Sequence, residues 1–193
     1  MHACKNRSLA ACVTAAALVM GGAANAALVS NGDFETGDFT GWTQFGNGSF
    51  SGVDNTAPQA GNFGAYFGPS SDGGIFQTLG TSAGHVYSVK FWLQNEADAN
   101  GTTSPNSFQF NWNGGAVEVA LVDASAFAYT EYTVSNLVAS SAATDLRFTF
   151  AHGPAFWDLD SVSVTVPEPG SLALVGLAGL LAGLVSRRRG AAA

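Results

Sequence analysis

The sequence predicts an all-β protein, an antiparallel jelly-roll sandwich that lies between two targeting segments. Only 11% of its 193 residues are charged, against roughly 25% in an ordinary soluble domain. The 24 glycines are about twice the usual share, and several segments alternate apolar with polar residues. Short, half-buried strands joined by glycine-rich turns produce this combination.

Three segments predict strands most clearly, because apolar residues occupy every second position. They are Val89, Phe91 and Leu93; Phe108, Phe110 and Trp112; and Leu146, Phe148 and Phe150. Further strands are predicted at residues 117–121, 132–134 and 162–164. Turn signals separate these segments at residues 47–48, 72–74, 100–101 and 113–115. Eight or so strands at this spacing, with no convincing amphipathic helix, indicate a sandwich or jelly roll.

The last predicted strand contains an irregularity. Leu159 and Val162 both fit the core, although an odd number of positions separates them. A strand that places both inward needs one extra residue between them. We therefore expect a β-bulge at Asp160 and Ser161, which would re-aim the Asp160 side chain.

Residues 1–26 have the features of a secretory signal peptide. Lys5 and Arg7 precede an apolar run, and Ala24 and Ala26 stand at the −3 and −1 positions of a cleavage site. We expect signal peptidase to cleave after Ala26. Both cysteines of the chain lie inside this segment, so thiol catalysis and cysteine-ligated zinc are excluded for the mature protein.

Residues 167–193 carry a second targeting segment. Pro167, Glu168 and Pro169 precede an apolar stretch at 172–185, which ends before Arg187, Arg188 and Arg189. A helix over these 14 apolar residues would measure about 21 Å, less than the roughly 30 Å hydrocarbon core. Because the arginines can extend toward the headgroups, the helix could just span the membrane, with the arginines on the cytoplasmic side.

This order of parts resembles the PEP-CTERM sorting signal of bacteria with a Gram-negative-type envelope. The resemblance implies transient anchoring in the inner membrane and processing by an exosortase near Pro167–Pro169. It also implies delivery to the cell surface or the exopolysaccharide matrix. A plain C-terminal membrane anchor is the alternative interpretation.

The exported domain, residues 27–166, is strongly acidic. Two basic and thirteen acidic residues give it a net charge of −11, which opposes binding to nucleic acid or anionic lipid. Four of its segments, at residues 28–42, 74–79, 87–91 and 156–164, resemble galactose-binding-like jelly rolls, in particular carbohydrate-binding modules of the family 4/9 type. One departure is Ser161, because the closing motif of that family usually carries a second aspartate there.

The sequence argues against catalysis. His85 and His152 are the only histidines of the mature chain; both are predicted in turns, and no G-x-S-x-G motif accompanies a serine. The carboxylates of Glu96 and Asp98, like those of Asp158 and Asp160, are two residues apart, a spacing common on solvated strand faces. Phosphate-loop and dinucleotide motifs are absent. We therefore predict that the protein is not an enzyme.

A sugar-binding site is predicted around Trp92. This tryptophan shares the polar face of its strand with Lys90 and Gln94, so its ring could stack on a sugar while the two polar side chains contact hydroxyl groups. Burial of Trp92 under a loop is the alternative. Tyr66 and Tyr129 are weaker candidates. Trp42 and Trp112 fit the core, and the position of Trp157 stays open.

The jelly-roll resemblance also implies a structural Ca²⁺ ion where the first strand meets the last. The matching carboxylates are Glu35 and Asp160, and carbonyl groups of the glycine-rich opening segment could complete an oxygen shell.

Two functions remain open. The first is an exported, non-catalytic protein of the cell surface or exopolysaccharide matrix. The alternative is a carbohydrate-binding, lectin-like module.

Overall fold

The computed structural model describes residues 28–56 and 58–167. The predicted signal peptide, the apolar stretch 172–185 and the arginine cluster lie outside the described residues. Nowhere in the described ranges does a helix have the length and hydropathy that a membrane span requires.

Ten strands and no helices make up the described part of the chain. The strands are β1 (Thr43–Gly46), β2 (Ser51–Asp54), β3 (Gly64–Phe67), β4 (Gly73–Gly80), β5 (Val86–Asn95), β6 (Asn106–Trp112), β7 (Val117–Val122), β8 (Phe127–Val138), β9 (Ala143–His152) and β10 (Trp157–Thr165). The predicted strands are all present. The additional ones include β1, β2 and β3, each of which has four residues and is too short to show a clear alternation.

The strands form two five-stranded antiparallel sheets. The front sheet has the order β1-β4-β9-β6-β7, and the back sheet has the order β2-β3-β10-β5-β8. Sequential strands are repeatedly placed in opposite sheets, as in a jelly-roll sandwich. The predicted fold class is confirmed for the exported domain.

Aromatic rings fill the space between the sheets. Phe91 of the back sheet lies 5.2 Å from Phe148 of the front sheet, and Phe67 stacks on Phe150 at 4.0 Å, measured between ring centroids. Phe108 and Phe110 are also fully buried. The alternation of β5, β6 and β9 therefore places the predicted side chains inward. Trp42 and Trp112 lie in the core as predicted, and Trp157 is fully buried as well.

The predicted bulge in β10 is present. The pairing of β10 with β5 shifts between Asp160 and Ser163, and Ser161 has a φ of 52°. The amide of Val162 then donates to the Gly32 carbonyl at 2.7 Å. A β-carbon at Gly32 would collide with the Val162 carbonyl oxygen. Because glycine has no side chain, the opening segment can pack directly on the bulge.

The structure corrects the prediction for His152. The residue ends β9 instead of lying in a turn, and its side chain is fully buried. Its Nε2 lies 2.9 Å from Asn95 Oδ1, and its Nδ1 accepts a hydrogen bond from the Ala155 amide. Burial lowers the pKa of this imidazole, so the neutral form is favoured. His152 is thus a core group that bonds the end of β9 to neighbouring segments.

Candidate functional site

Polar side chains line the outer face of the front sheet at its centre. Gln109 and Asn111 alternate with the core phenylalanines of β6, while Arg147 and Thr149 do the same on β9. The register places Gln109 opposite Thr149 and Asn111 opposite Arg147. Four polar side chains from two adjacent strands therefore form one compact patch.

An aromatic ring borders this patch. Phe45 belongs to the edge strand β1, yet its ring centroid lies only 3.4 Å from the guanidinium carbon of Arg147. Strand β4 separates the two residues in the sheet, and Gly74 is the residue of β4 that pairs with both Phe45 and Thr149. A β-carbon at Gly74 would lie 3.1 Å from Phe45 Cζ and would also collide with the Phe148 carbonyl oxygen. The missing side chain of Gly74 leaves space for the ring.

These groups line a cleft of about 510 Å³, a size within the range of small-ligand sites. Its lining residues are Phe45, Asp72, Gln109, Asn111, Gly114, Arg147 and Thr149. The amide side chains offer both donors and acceptors, the guanidinium only donors and the Asp72 carboxylate only acceptors. Such a mixture of an apolar wall and several hydrogen-bonding groups suits a ligand that is rich in hydroxyl groups. We call this site the front cleft.

The front cleft was not predicted from the sequence, although part of its signal is visible there. Gln109, Asn111 and Arg147 occupy the polar positions of strands whose alternation was clear. Two amides and an arginine on such positions could have pointed to a binding face. The pairing of β6 with β9, and the approach of Phe45 across β4, depend on the tertiary fold.

The predicted site residues Lys90, Trp92 and Gln94 lie together on the outer face of the back sheet. Lys90 Nζ lies 3.1 Å from Glu131 Oε2, and Gln94 Nε2 donates to Asp158 Oδ2 at 3.1 Å. Trp92 is half-buried. Both polar side chains thus already have partners within the protein, and sugar binding at Trp92 stays a prediction.

Carboxylates dominate the electrostatics of this back-sheet face. The Asp158 side chain is buried, and its burial together with the charge of Glu96 raises its pKa to about 8. The charge of Asp54 adds to this effect, and the hydrogen bond from Gln94 opposes it in part. Burial, followed by the negative charges of Asp158, Asp160 and Glu96, also raises the pKa of Tyr129. Asp158 therefore loses its proton at a much higher pH than an ordinary aspartate does.

Glu35 and Asp160, the predicted calcium ligands, both bind the loop formed by residues 58–63. Glu35 Oε1 accepts hydrogen bonds from the amides of Asn62 at 2.8 Å and Phe63 at 2.9 Å. Asp160 Oδ2 accepts from the amides of Gln59 at 2.8 Å and Ala60 at 3.2 Å.

The backbone amides that bind these carboxylates are hydrogen-bond donors and cannot ligate a cation. They partly compensate the negative charge of each carboxylate without an ion. In the part of the chain that the structure describes, three or more acidic, histidine or cysteine side chains nowhere gather around a possible ion position. Glu35 Oε2 also accepts from Asn62 Nδ2, and Asp160 Oδ1 accepts from the Ser161 amide. All four carboxylate oxygens thus have hydrogen-bond donors, and the calcium ion stays a prediction.

Comparisons with known proteins match two parts of the chain, the C-terminal segment and the sandwich domain. The PEP-CTERM protein-sorting motif matches residues 165–189. No curated protein sequence matches the chain.

Several solved structures share the fold of the sandwich domain. The carbohydrate-binding module TmCBM61, solved in complex with β-1,4-galactotriose, has a TM-score of 0.57 and 17% identity, and the match covers 74% of this chain and 99% of that one. The cleaved adhesin domain of Lys-gingipain from Porphyromonas gingivalis has a TM-score of 0.51 at 15% identity, covering 70% and 96%.

A family 22 xylan-binding domain from Paenibacillus barcinonensis has a TM-score of 0.50 at 15% identity, and the match covers 71% of this chain and 92% of that one. At these identities the likeness concerns the fold. The motif indicates export through a membrane-anchored intermediate to the cell surface. The chain is therefore an exported protein that carries a PEP-CTERM sorting motif behind a jelly-roll domain with the fold of carbohydrate-binding modules.

Proposed function

We propose that this protein is a non-catalytic component of the cell surface or exopolysaccharide matrix whose jelly-roll domain binds polysaccharide in the front cleft. The observation that carries the proposal is the arrangement of Gln109, Asn111 and Thr149 beside the Phe45 ring on one open sheet face. Polar groups on adjacent strands can contact successive hydroxyl groups, while the aromatic wall contacts the apolar C–H face of a sugar.

The solved structures of similar fold support a glycan as the ligand class. One was determined with a bound galactotriose, and another is described as a xylan-binding domain. They share no more than the fold with this chain, and the side chains of the front cleft are what support a glycan site there. The adhesin domain among them is compatible with a surface protein.

The histidine and carboxylate contacts support a role without catalysis. His152 is buried and hydrogen-bonded through both ring nitrogens, so it is unavailable to activate a nucleophile. Asp160 binds two backbone amides of the loop 58–63, and Asp158 binds Gln94. These carboxylates therefore contact groups of the fold itself.

The sorting motif supports the location. We propose that signal peptidase removes residues 1–26 and that the apolar stretch 172–185 then holds the protein in the inner membrane. An exosortase would cleave near Pro167–Pro169 and release the domain to the surface or matrix. The intact mass of the surface-delivered protein tests this step, because a mass that still includes Arg187 would contradict cleavage.

A polysaccharide array probed with the full-length protein in mild detergent tests the binding function. We expect retention on at least one glycan, and Gln109→Ala and Asn111→Ala should each weaken binding several-fold, since a lost hydrogen bond costs about 1 kcal/mol. Gln44→Ala is the matched control, because this exposed amide on β1 does not line the cleft. Equal binding by all these variants would place the glycan elsewhere.

The back-sheet face around Trp92 is a second candidate site for the same ligand class. Its half-buried Tyr66, Trp92 and Tyr129 are the aromatic side chains that favour it. We also propose, from the jelly-roll resemblance, that Ca²⁺ could stabilise the segment held by Glu35 and Asp160. Its chemical role would be structural, since Ca²⁺ prefers carboxylate and carbonyl oxygens.

A further inference from the structure

The two cations of the described residues differ in their surroundings. Lys90 lies within 3.1 Å of the Glu131 carboxylate. Arg147 has no carboxylate within ion-pair distance among residues 28–56 and 58–167, and its guanidinium packs on the Phe45 ring. A domain with a net charge of −11 thus keeps one positive charge without a counter-ion, and that charge lines the front cleft.

The Phe45 ring fixes the position of this charge. With its carbon 3.4 Å from the ring centroid, the guanidinium is in van der Waals contact with an aromatic face. Such contact leaves its N–H groups available to acceptors. Phe76 lies opposite Arg147 in the register of β4 and β9, and its ring centroid is 6.3 Å from that of Phe45. A guanidinium that is oriented before binding loses less side-chain entropy when it pairs with a planar anion.

We propose that the front cleft recognises an acidic polysaccharide, with a uronic-acid carboxylate bound to the Arg147 guanidinium. The carboxylate would accept two parallel N–H bonds from Arg147, and hydroxyl groups of the same chain would face Gln109, Asn111 and Thr149. Asp72, which also lines the cleft, would accept from a hydroxyl group and repel a second carboxylate. This inference rests on the proposed polysaccharide binding and names the class of sugar.

The net charge of the domain makes Arg147 decisive for this selectivity. At long range the domain repels a polyanion, so affinity for an acidic glycan has to come from a local contact. Salt would screen both the long-range repulsion and the local attraction, and salt dependence alone therefore cannot identify the contact. A comparison at constant ionic strength between a carboxylate sugar and its neutral counterpart isolates the charge of the ligand.

Calorimetry on the full-length protein in mild detergent provides that comparison. The probes are tetrasaccharides of galacturonate, of mannuronate and guluronate, and of glucuronate, each paired with its carboxyl-reduced form. We expect at least one acidic probe to bind tenfold or more tightly than its reduced form. Arg147→Gln should remove that preference, and Arg147→Lys should retain part of it, because the charge stays while the planar pair of donors is lost.

Three outcomes would overturn the inference. If every acidic probe and its reduced form bound with equal affinity, the front cleft would be a neutral glycan site, and the proposed function would stand without this inference. An absence of binding to every acidic and neutral glycan would contradict both proposals. Lys90→Gln removes the same unit of charge from the back sheet; loss of the acid preference in that variant, and not in Arg147→Gln, would move the carboxylate to the back sheet. Thermal melts of each variant establish that it is folded.

Discussion

Phe45 and Arg147 touch across an intervening strand, because Gly74 of β4 leaves room for the aromatic ring. The contact joins the edge strand β1 to the polar patch at the centre of the front sheet. Neither residue alone would define the cleft: the ring forms an apolar wall, and the guanidinium supplies the charge. Gly74 therefore shapes the front cleft although it has no side chain.

Phe45→Ala is expected to weaken glycan binding tenfold or more while the protein stays folded. Phe45 is only half-buried, so its truncation costs less stability than that of a core phenylalanine, and the main effect is loss of the wall that orients Arg147. Binding calorimetry and a thermal melt measure the two effects separately. Unchanged affinity in a folded variant would show that the cleft does not bind the glycan.

Phe110→Ala is expected to destabilise the domain severely. Phe110 is fully buried between Phe91 and Phe148, with ring centroids 5.6 Å and 5.3 Å away. Its removal should cost about 3–5 kcal/mol, out of a total of about 5–15 kcal/mol for an ordinary domain. A chemical denaturation curve measures the loss, and an unchanged midpoint would contradict this packing.

The success and failure of the sequence predictions have a common physical reason. Period-two alternation identifies long half-buried strands, so the faces of β5, β6 and β9 were predictable, as was the bulge that the spacing of Leu159 and Val162 demands. The short strand β1 has too few residues to show a period. The placement of Phe45 over Gly74, and the burial of His152 against Asn95, arise from contacts between segments far apart in sequence.

Trp92→Ala tests the second candidate surface. If the Trp92 ring binds a sugar, its removal should abolish polysaccharide retention while the melting temperature changes little. Trp92 lies between its cross-strand neighbours Asp160 and Glu131. If its ring mainly shields this part of the sheet from solvent, the melting temperature should fall as well. Loss of both properties together would contradict a dedicated sugar platform.

Asp158→Asn is expected to stabilise the protein at pH 7 and to flatten its pH dependence. Burial and the charge of Glu96 raise the pKa of Asp158 to about 8 in the folded state, against about 3.9 in an unfolded chain. The folded protein thus holds a proton that the unfolded chain releases, so this group's contribution to stability is complete below pH 4. It is lost progressively as the pH rises toward 8.

An asparagine keeps the shape and can still accept the bond from Gln94, but it cannot ionise. Thermal melts of both proteins between pH 5 and pH 8 should therefore diverge, with the larger advantage of the variant at the higher pH. Parallel curves would contradict the raised pKa.

Removal of calcium tests whether amide donors alone balance the two carboxylates at the loop 58–63. Asp160 and Glu35 each accept two backbone N–H groups of that loop, which partly compensates their charge without an ion. If Ca²⁺ also binds there, a hundredfold excess over its dissociation constant would add about 2.7 kcal/mol to stability. EDTA should then lower the melting temperature by several degrees.

Glu35→Gln should abolish this response, because the exposed amide can still accept the backbone bonds but lacks the charge that a cation requires. Asp160→Asn is the more disruptive variant, since its buried side chain would place an N–H₂ group near backbone donors. A melt that ignores both EDTA and added Ca²⁺ would mean that the amides suffice and that the calcium prediction is wrong.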